Sequence, residues 1–164
     1  MSRARLIALA LIAAGPIVLE AQDSMAAQVD LCLDAERFIR NVAGMVSLTE
    51  PDTVNDWRTQ SVTPGCRVTA AAATRQLSRN LLRDFFNSLQ SDAWIRTPDP
   101  RDAPNEGSLR FRKGQADCLF SFYDSSVSLN TDAELTVSDA VFKTVGEKLY
   151  HFLVLCTPAA PAAP

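Results

Sequence analysis

Four cysteines, Cys32, Cys66, Cys118 and Cys156, limit what this chain can fold into more than any other feature. In an oxidising compartment an even number of isolated cysteines reads as disulfide staples. In a reducing one it reads as metal ligands or reactive thiols. The first residues decide which applies. Arg3 and Arg5 form a short positive stretch, followed by an apolar run from Leu6 to Leu19 broken only by Gly15 and Pro16. As a helix at about 1.5 Å per residue, the run reaches roughly 21 Å, short of the ~30 Å hydrocarbon core of a bilayer. The pattern predicts a signal peptide over residues 1–27 rather than a permanent anchor. Cleavage is expected between Ala21 and Ala27, where small residues close Leu19-Glu20-Ala21 and Ser24-Met25-Ala26. Cys32 follows Val29-Asp30-Leu31, without the small residue that lipid attachment requires. The expected product is secreted or periplasmic, with no stable membrane span after cleavage.

Export makes two disulfides the natural state of the cysteines. Zinc sites bring ligands in close pairs such as Cys-x-x-Cys, and none occurs here, so no metal is expected. Four cysteines allow three pairings, among which sequence does not choose. The expected pairing is Cys32–Cys66 with Cys118–Cys156. Each bridge would close a loop of roughly 35–40 residues and stabilise by about 3–4 kcal/mol through chain entropy.

Removing residues 1–27 leaves about 137, enough for one domain with a real core. The chain is 47% apolar and 21% charged, a globular rather than a disordered balance. The domain is expected over 28–157, followed by a Pro/Ala-rich tail over 158–164 with no means of packing. Formal charge is −3. The removed segment carries Arg3 and Arg5 against Glu20 and Asp23, so the domain keeps that value. A mildly acidic domain lacks the footprint of a nucleic-acid binder and any polybasic membrane patch.

Apolar periodicity predicts a helix over about 29–48, from Leu31, Ala35, Phe38, Val42 and Met45, with Asp30 as N-cap and Asp34 and Glu36 in its first turns. A loop is expected over 49–65, bounded by Pro51 and Pro64-Gly65, with Val54 and Trp57 anchored to the core. Cys66 to Ala72 reads as a weak strand. A second helix is expected over 74–91, with Leu77, Leu81, Leu82, Phe85 and Leu89 on its apolar face. Residues 92–107 read as irregular, with a short strand at Trp94-Ile95. Period-two alternation at Leu109 and Phe111, then at Cys118, Phe120 and Phe122, predicts a hairpin turning at Lys113–Ala116. Thr131 and Glu134 have capping-box spacing for a short helix. A second hairpin is expected from Val141–Val145 to Lys148–Cys156, whose last arm is apolar on both faces and suits a sheet centre. The predicted class is α+β: two helices on one face of a four- to five-stranded, mainly antiparallel sheet with two disulfides.

Candidate chemistry is sparse, and no residue is assigned a catalytic role or a cofactor. His151 is the single histidine; Ser121 or Asp124 would be its partners in a Ser/His/Asp site, without a G-x-S-x-G elbow. On the last apolar strand, His151 suits the edge of a core. Asp52 with Asp56, or Asp99, Asp102 and Glu106, could act as a carboxylate pair but fall in polar segments. Asp99 to Gly107 lacks the ligand register of a calcium loop. The strongest recognition feature is a stripe of Arg75, Arg79 and Arg83 stepping by four, which Arg110 and Arg112 would extend if the hairpin lies alongside. Guanidinium groups in such a row suit an acidic ligand or protein partner. The leading expectation is an exported binding or interaction module with an acidic ligand or protein partner. The alternative is a small secreted hydrolase using His151 or a loop carboxylate pair.

Overall fold

The computed structural model describes residues 17–56, 60–97, 107–124 and 129–160. Its elements run α1 (Ile17–Asp30), α2 (Leu33–Asn41), β1 (Val46–Asp56), β2 (Ser61–Thr74), α3 (Ser78–Ser91), β3 (Ile95–Arg96), β4 (Ser108–Lys113), β5 (Ala116–Tyr123), α4 (Asp132–Asp139) and β6 (Lys148–Pro158). The strands form one six-stranded sheet in the order β1-β2-β6-β5-β4-β3, antiparallel at every junction. The α+β class is as expected, with more strands and helices than the sequence suggested. Both bridges have the expected pairing, Cys32–Cys66 and Cys118–Cys156.

Register puts alternate residues on opposite faces. Phe111, Cys118, Cys156 and Cys66 form one row across β4, β5, β6 and β2, and Leu109, Phe120, Val154 and Val68 form the next. Helices α2 and α3 close this face. Phe38 of α2 meets Phe85 of α3 edge-on at 5.3 Å, and Phe85 stacks on Phe152 at 3.8 Å between centroids. Trp94 meets Phe120 edge-on at 5.3 Å. Edge-to-face and offset rings add attraction beyond buried area. The sulfurs of Cys32, Cys66 and Cys156 lie within 4.8 Å of one another, so both staples meet in this core. Because the sulfurs are bonded in pairs, they are not available as metal ligands. Cys118 and Cys156 face each other directly, 4.1 Å apart at Cα, close to the ~4.5 Å of a non-hydrogen-bonded antiparallel pair.

Several boundaries differ from the expectation. The first predicted helix stops at Asn41, because the chain reverses at Gly44, with φ of +66°, and enters β1 two residues later. Asp30 ends α1, and Cys32 takes the N-cap position of α2 without a side-chain cap. Asp34 and Glu36 do occupy the first turn of α2. The expected loop over 49–65 is instead most of a long hairpin, β1 and β2. Its two prolines occupy strand positions that tolerate proline. Pro51 sits on the edge strand, and Pro64 lies outside the stretch of β2, Cys66–Thr74, that pairs with β6. Gly65 is needed because a Cβ there would collide with the carbonyl oxygen of Cys156, where the hairpin crosses β6. The second hairpin does not form. Residues 141–147 make a turn whose Phe142 and Val145 stand in solvent, so β6 pairs with β2 and β5 instead. As its apolar pattern implied, β6 is a central strand. Trp57, Pro98, Pro100, Pro104, residues 1–16 of the expected signal peptide and tail residues 161–164 lie outside the described residues. Among the described residues no helix is long and apolar enough to cross a membrane.

Candidate functional site

Helix α3 turns Leu81, Phe85 and Leu89 toward the sheet, and its neighbouring positions overhang the β4–β5 hairpin. This leaves a groove of about 640 Å³ between helix and hairpin. Its floor is Leu82 and Phe86 from α3, Leu109 from β4 and Phe122 from β5. All four pack against the core and remain half-buried. Phe86 stacks on Phe111 at 5.9 Å, and Phe122 meets Phe152 at 5.4 Å, so the floor is backed by the aromatic core. The volume lies within the roughly 300–1,000 Å³ typical of small-ligand sites.

The polar groups stand at the rim. Arg79 and Arg83, one turn apart on α3, are both exposed along it. Arg83 contacts Asp84 at 3.2 Å, and Asp84 also accepts from Gln76 at 2.7 Å. The Arg79 guanidinium makes no hydrogen bond or ion pair among the described residues. At one end, Ser78 donates to Asp124 at 3.1 Å and ties the start of α3 to the end of β5. Next to this end, burial raises the pKa of Tyr150 above its ordinary value, so the phenol stays neutral.

The expected arginine stripe therefore divides. Arg79 and Arg83 share the groove. Arg75 precedes α3 and donates to the Val145 carbonyl at 2.9 Å and to Thr144 Oγ1 at 3.1 Å, bracing the 141–147 turn. Arg110 and Arg112 lie on the opposite face of the sheet. Arg112 holds Asp117, its cross-strand partner, through two hydrogen bonds of 2.6 and 2.8 Å. Arg110 is buried, with Asp56 3.8 Å away. Asp56 lies at the far end of the β1–β2 hairpin, and β4 is three positions beyond β2 in the sheet. The hairpin arm therefore curls back across this face. Alternation correctly placed Arg110 opposite Phe111, but the arm covers a face expected to meet water.

His151 lies on the same second face and is fully buried rather than at a core edge. Its Nε2 is 2.8 Å from Ser138 Oγ, and its Nδ1 is 3.9 Å from Glu134 Oε1. The Ser138 hydroxyl donates to the Glu134 carbonyl at 2.6 Å, so it accepts from the ring. A base must instead take the proton of its nucleophile, and it must reach a substrate. This trio bolts α4 to β6. Ser121 is bonded to Ser108 and Asp124 to Ser78, so neither expected partner serves His151. Glu134, foreseen as a helix cap, receives the Leu129 and Asn130 amides at 2.8 and 2.7 Å, while Thr131 accepts from the Glu134 amide. Asp52 and Asp56 lie on β1, facing Arg67 and Arg110, while Asp99, Asp102 and Glu106 lie outside the described residues.

No family model, curated protein or solved structure matches the chain.

Proposed function

We propose that this protein is an exported binding module that recognises an acidic partner through the groove between α3 and the β4–β5 hairpin. One observation carries the reading: half-buried Leu82, Phe86, Leu109 and Phe122 line a groove whose rim holds Arg79, a cation without a polar partner among the described residues. An apolar cleft with few polar groups at its margin is the usual form of a binding site, and a guanidinium selects carboxylate or phosphate. Export is supported by the positive N-terminal residues, the apolar run behind them and the two disulfides.

The test uses the oxidised domain as bait in envelope extract and culture fluid, beside an Arg79→Glu/Arg83→Glu variant and a Lys143→Glu control outside the groove lining. The expected result is an acidic partner that the wild type and the control retain, that salt releases, and that the double variant loses. Equal retention by the double variant would overturn the reading.

A further inference from the structure

From the same groove we infer a specific ligand class: a single-chain amphiphile with one carboxylate, a long-chain fatty acid. This inference rests on the groove being the binding site. The four floor side chains, Leu82, Phe86, Leu109 and Phe122, carry no hydrogen-bonding atom. A peptide or sugar lying on them would lose hydrogen bonds to water and could regain them only at the margin, from groups such as Ser78 and Tyr123. An alkyl chain has none to lose and gains from leaving water.

The rim sets the head group. The Arg79 fork has no polar partner among the described residues, while Arg83 is already shared with Asp84, and Asp124, held by the neighbouring Ser78, stands on the same rim. The cationic reserve is thus about one charge, with a carboxylate nearby to disfavour a dianion. One carboxylate fits that balance, and its two oxygens match the planar fork of Arg79. With its head at α3, the chain runs over Leu82 and Phe86 toward Leu109 and Phe122. The aromatic core behind the floor keeps that surface in place whether or not the groove is filled.

Calorimetry on the full oxidised domain tests this with dodecanoate, dodecanol and an acidic leucine-containing hexapeptide, all below aggregation concentrations. The expected outcome is one dodecanoate per chain, bound about tenfold more tightly than dodecanol, the margin of one charged hydrogen bond. Arg79→Glu should weaken dodecanoate by about that factor and leave dodecanol unchanged. Leu82→Gln, its folding checked by thermal melting, should weaken both. Equal affinity for dodecanoate and dodecanol would overturn the carboxylate assignment. Binding of the peptide alone, still sensitive to Arg79, would overturn the fatty-acid assignment and leave the acidic-partner reading standing. No binding by any probe would overturn the assignment, and the separate extract capture would then decide the acidic-partner reading alone.

Discussion

Phe111, Phe120 and Phe152 on one face of the sheet, and Arg110, Asp117 and His151 on the other, belong to the same three strands. The first three meet α2 and α3 in a cluster of rings and disulfides. The second three are held by polar contacts: Arg110 by Asp56 of the curled β1–β2 hairpin, Asp117 by Arg112 and the Ala160 amide, and His151 by Ser138 of α4. Apolar burial stabilises in proportion to area and is indifferent to partner identity. Buried ion pairs add little net stability, yet each depends heavily on its partner. The aromatic face should therefore supply most of the stability, and the polar face should fix where the arm and α4 lie. The groove is the place where the aromatic face runs out of helix to cover it.

The largest expected effect is on the aromatic face. Phe120→Ala should lower unfolding free energy by about 3–5 kcal/mol in urea titrations, through lost transfer energy and a cavity. A loss below about 1 kcal/mol would mean that the ring is not at the centre of the core. The polar face should behave differently. Asp56→Ala removes a carboxylate from beside the buried Arg110 guanidinium and should cost about 3 kcal/mol, whereas Asp56→Leu with Arg110→Met should come within about 1 kcal/mol of wild type. If the double variant is as unstable as the single one, the pair contributes more than position. A smaller change is expected where α4 begins. Thr131→Ala removes the cap on the Glu134 amide and should cost about 1 kcal/mol by the same titration.

The smallest effect is a pH dependence in the exposed 141–147 turn. The Thr144 backbone amide, bonded to Glu147 Oε2 at 2.7 Å, holds the Glu147 carboxyl below its ordinary pKa, with Arg75 adding attraction. A depressed carboxyl contributes its stabilisation above the unfolded-state pKa and loses it as pH falls through the lowered folded-state value. The Thr144 amide resonance should shift with that acidic midpoint and become insensitive to it in Glu147→Gln. A midpoint at or above ordinary glutamate would show that the bond does not form in solution.

The legible parts of the fold were those where local pattern and tertiary environment agree. Leu109/Phe111 and Phe120/Phe122 alternate, and the hairpin they predict is present. Phe85 and Leu89 follow helical spacing and are buried. Thr131 and Glu134 cap a helix as their spacing implies. What stayed hidden depended on neighbours distant in sequence. Pro51 and Pro64 look like loop residues until the outer edge of β1 and the end of β2 beyond its pairing with β6 make room for them. Arg110 looks like a solvent residue until Asp56 is carried to it across the sheet. At the candidate site, Arg79 and Arg83 were readable as helix neighbours, but the groove needed the hairpin beside α3. Ser138 carried no signal, because a lone serine becomes notable only when a helix sets it against His151.

The central claim is that ligand engages the uncovered edge of the aromatic face while the polar face serves the architecture alone. An amide-resolved NMR titration of the oxidised domain with dodecanoate tests it most directly. The account predicts saturable shifts centred on Arg79, Leu82, Phe86, Leu109 and Phe122, with Asp56, Arg110, Glu134 and His151 unmoved. Shifts centred on the second group, with the groove amides silent, would contradict it.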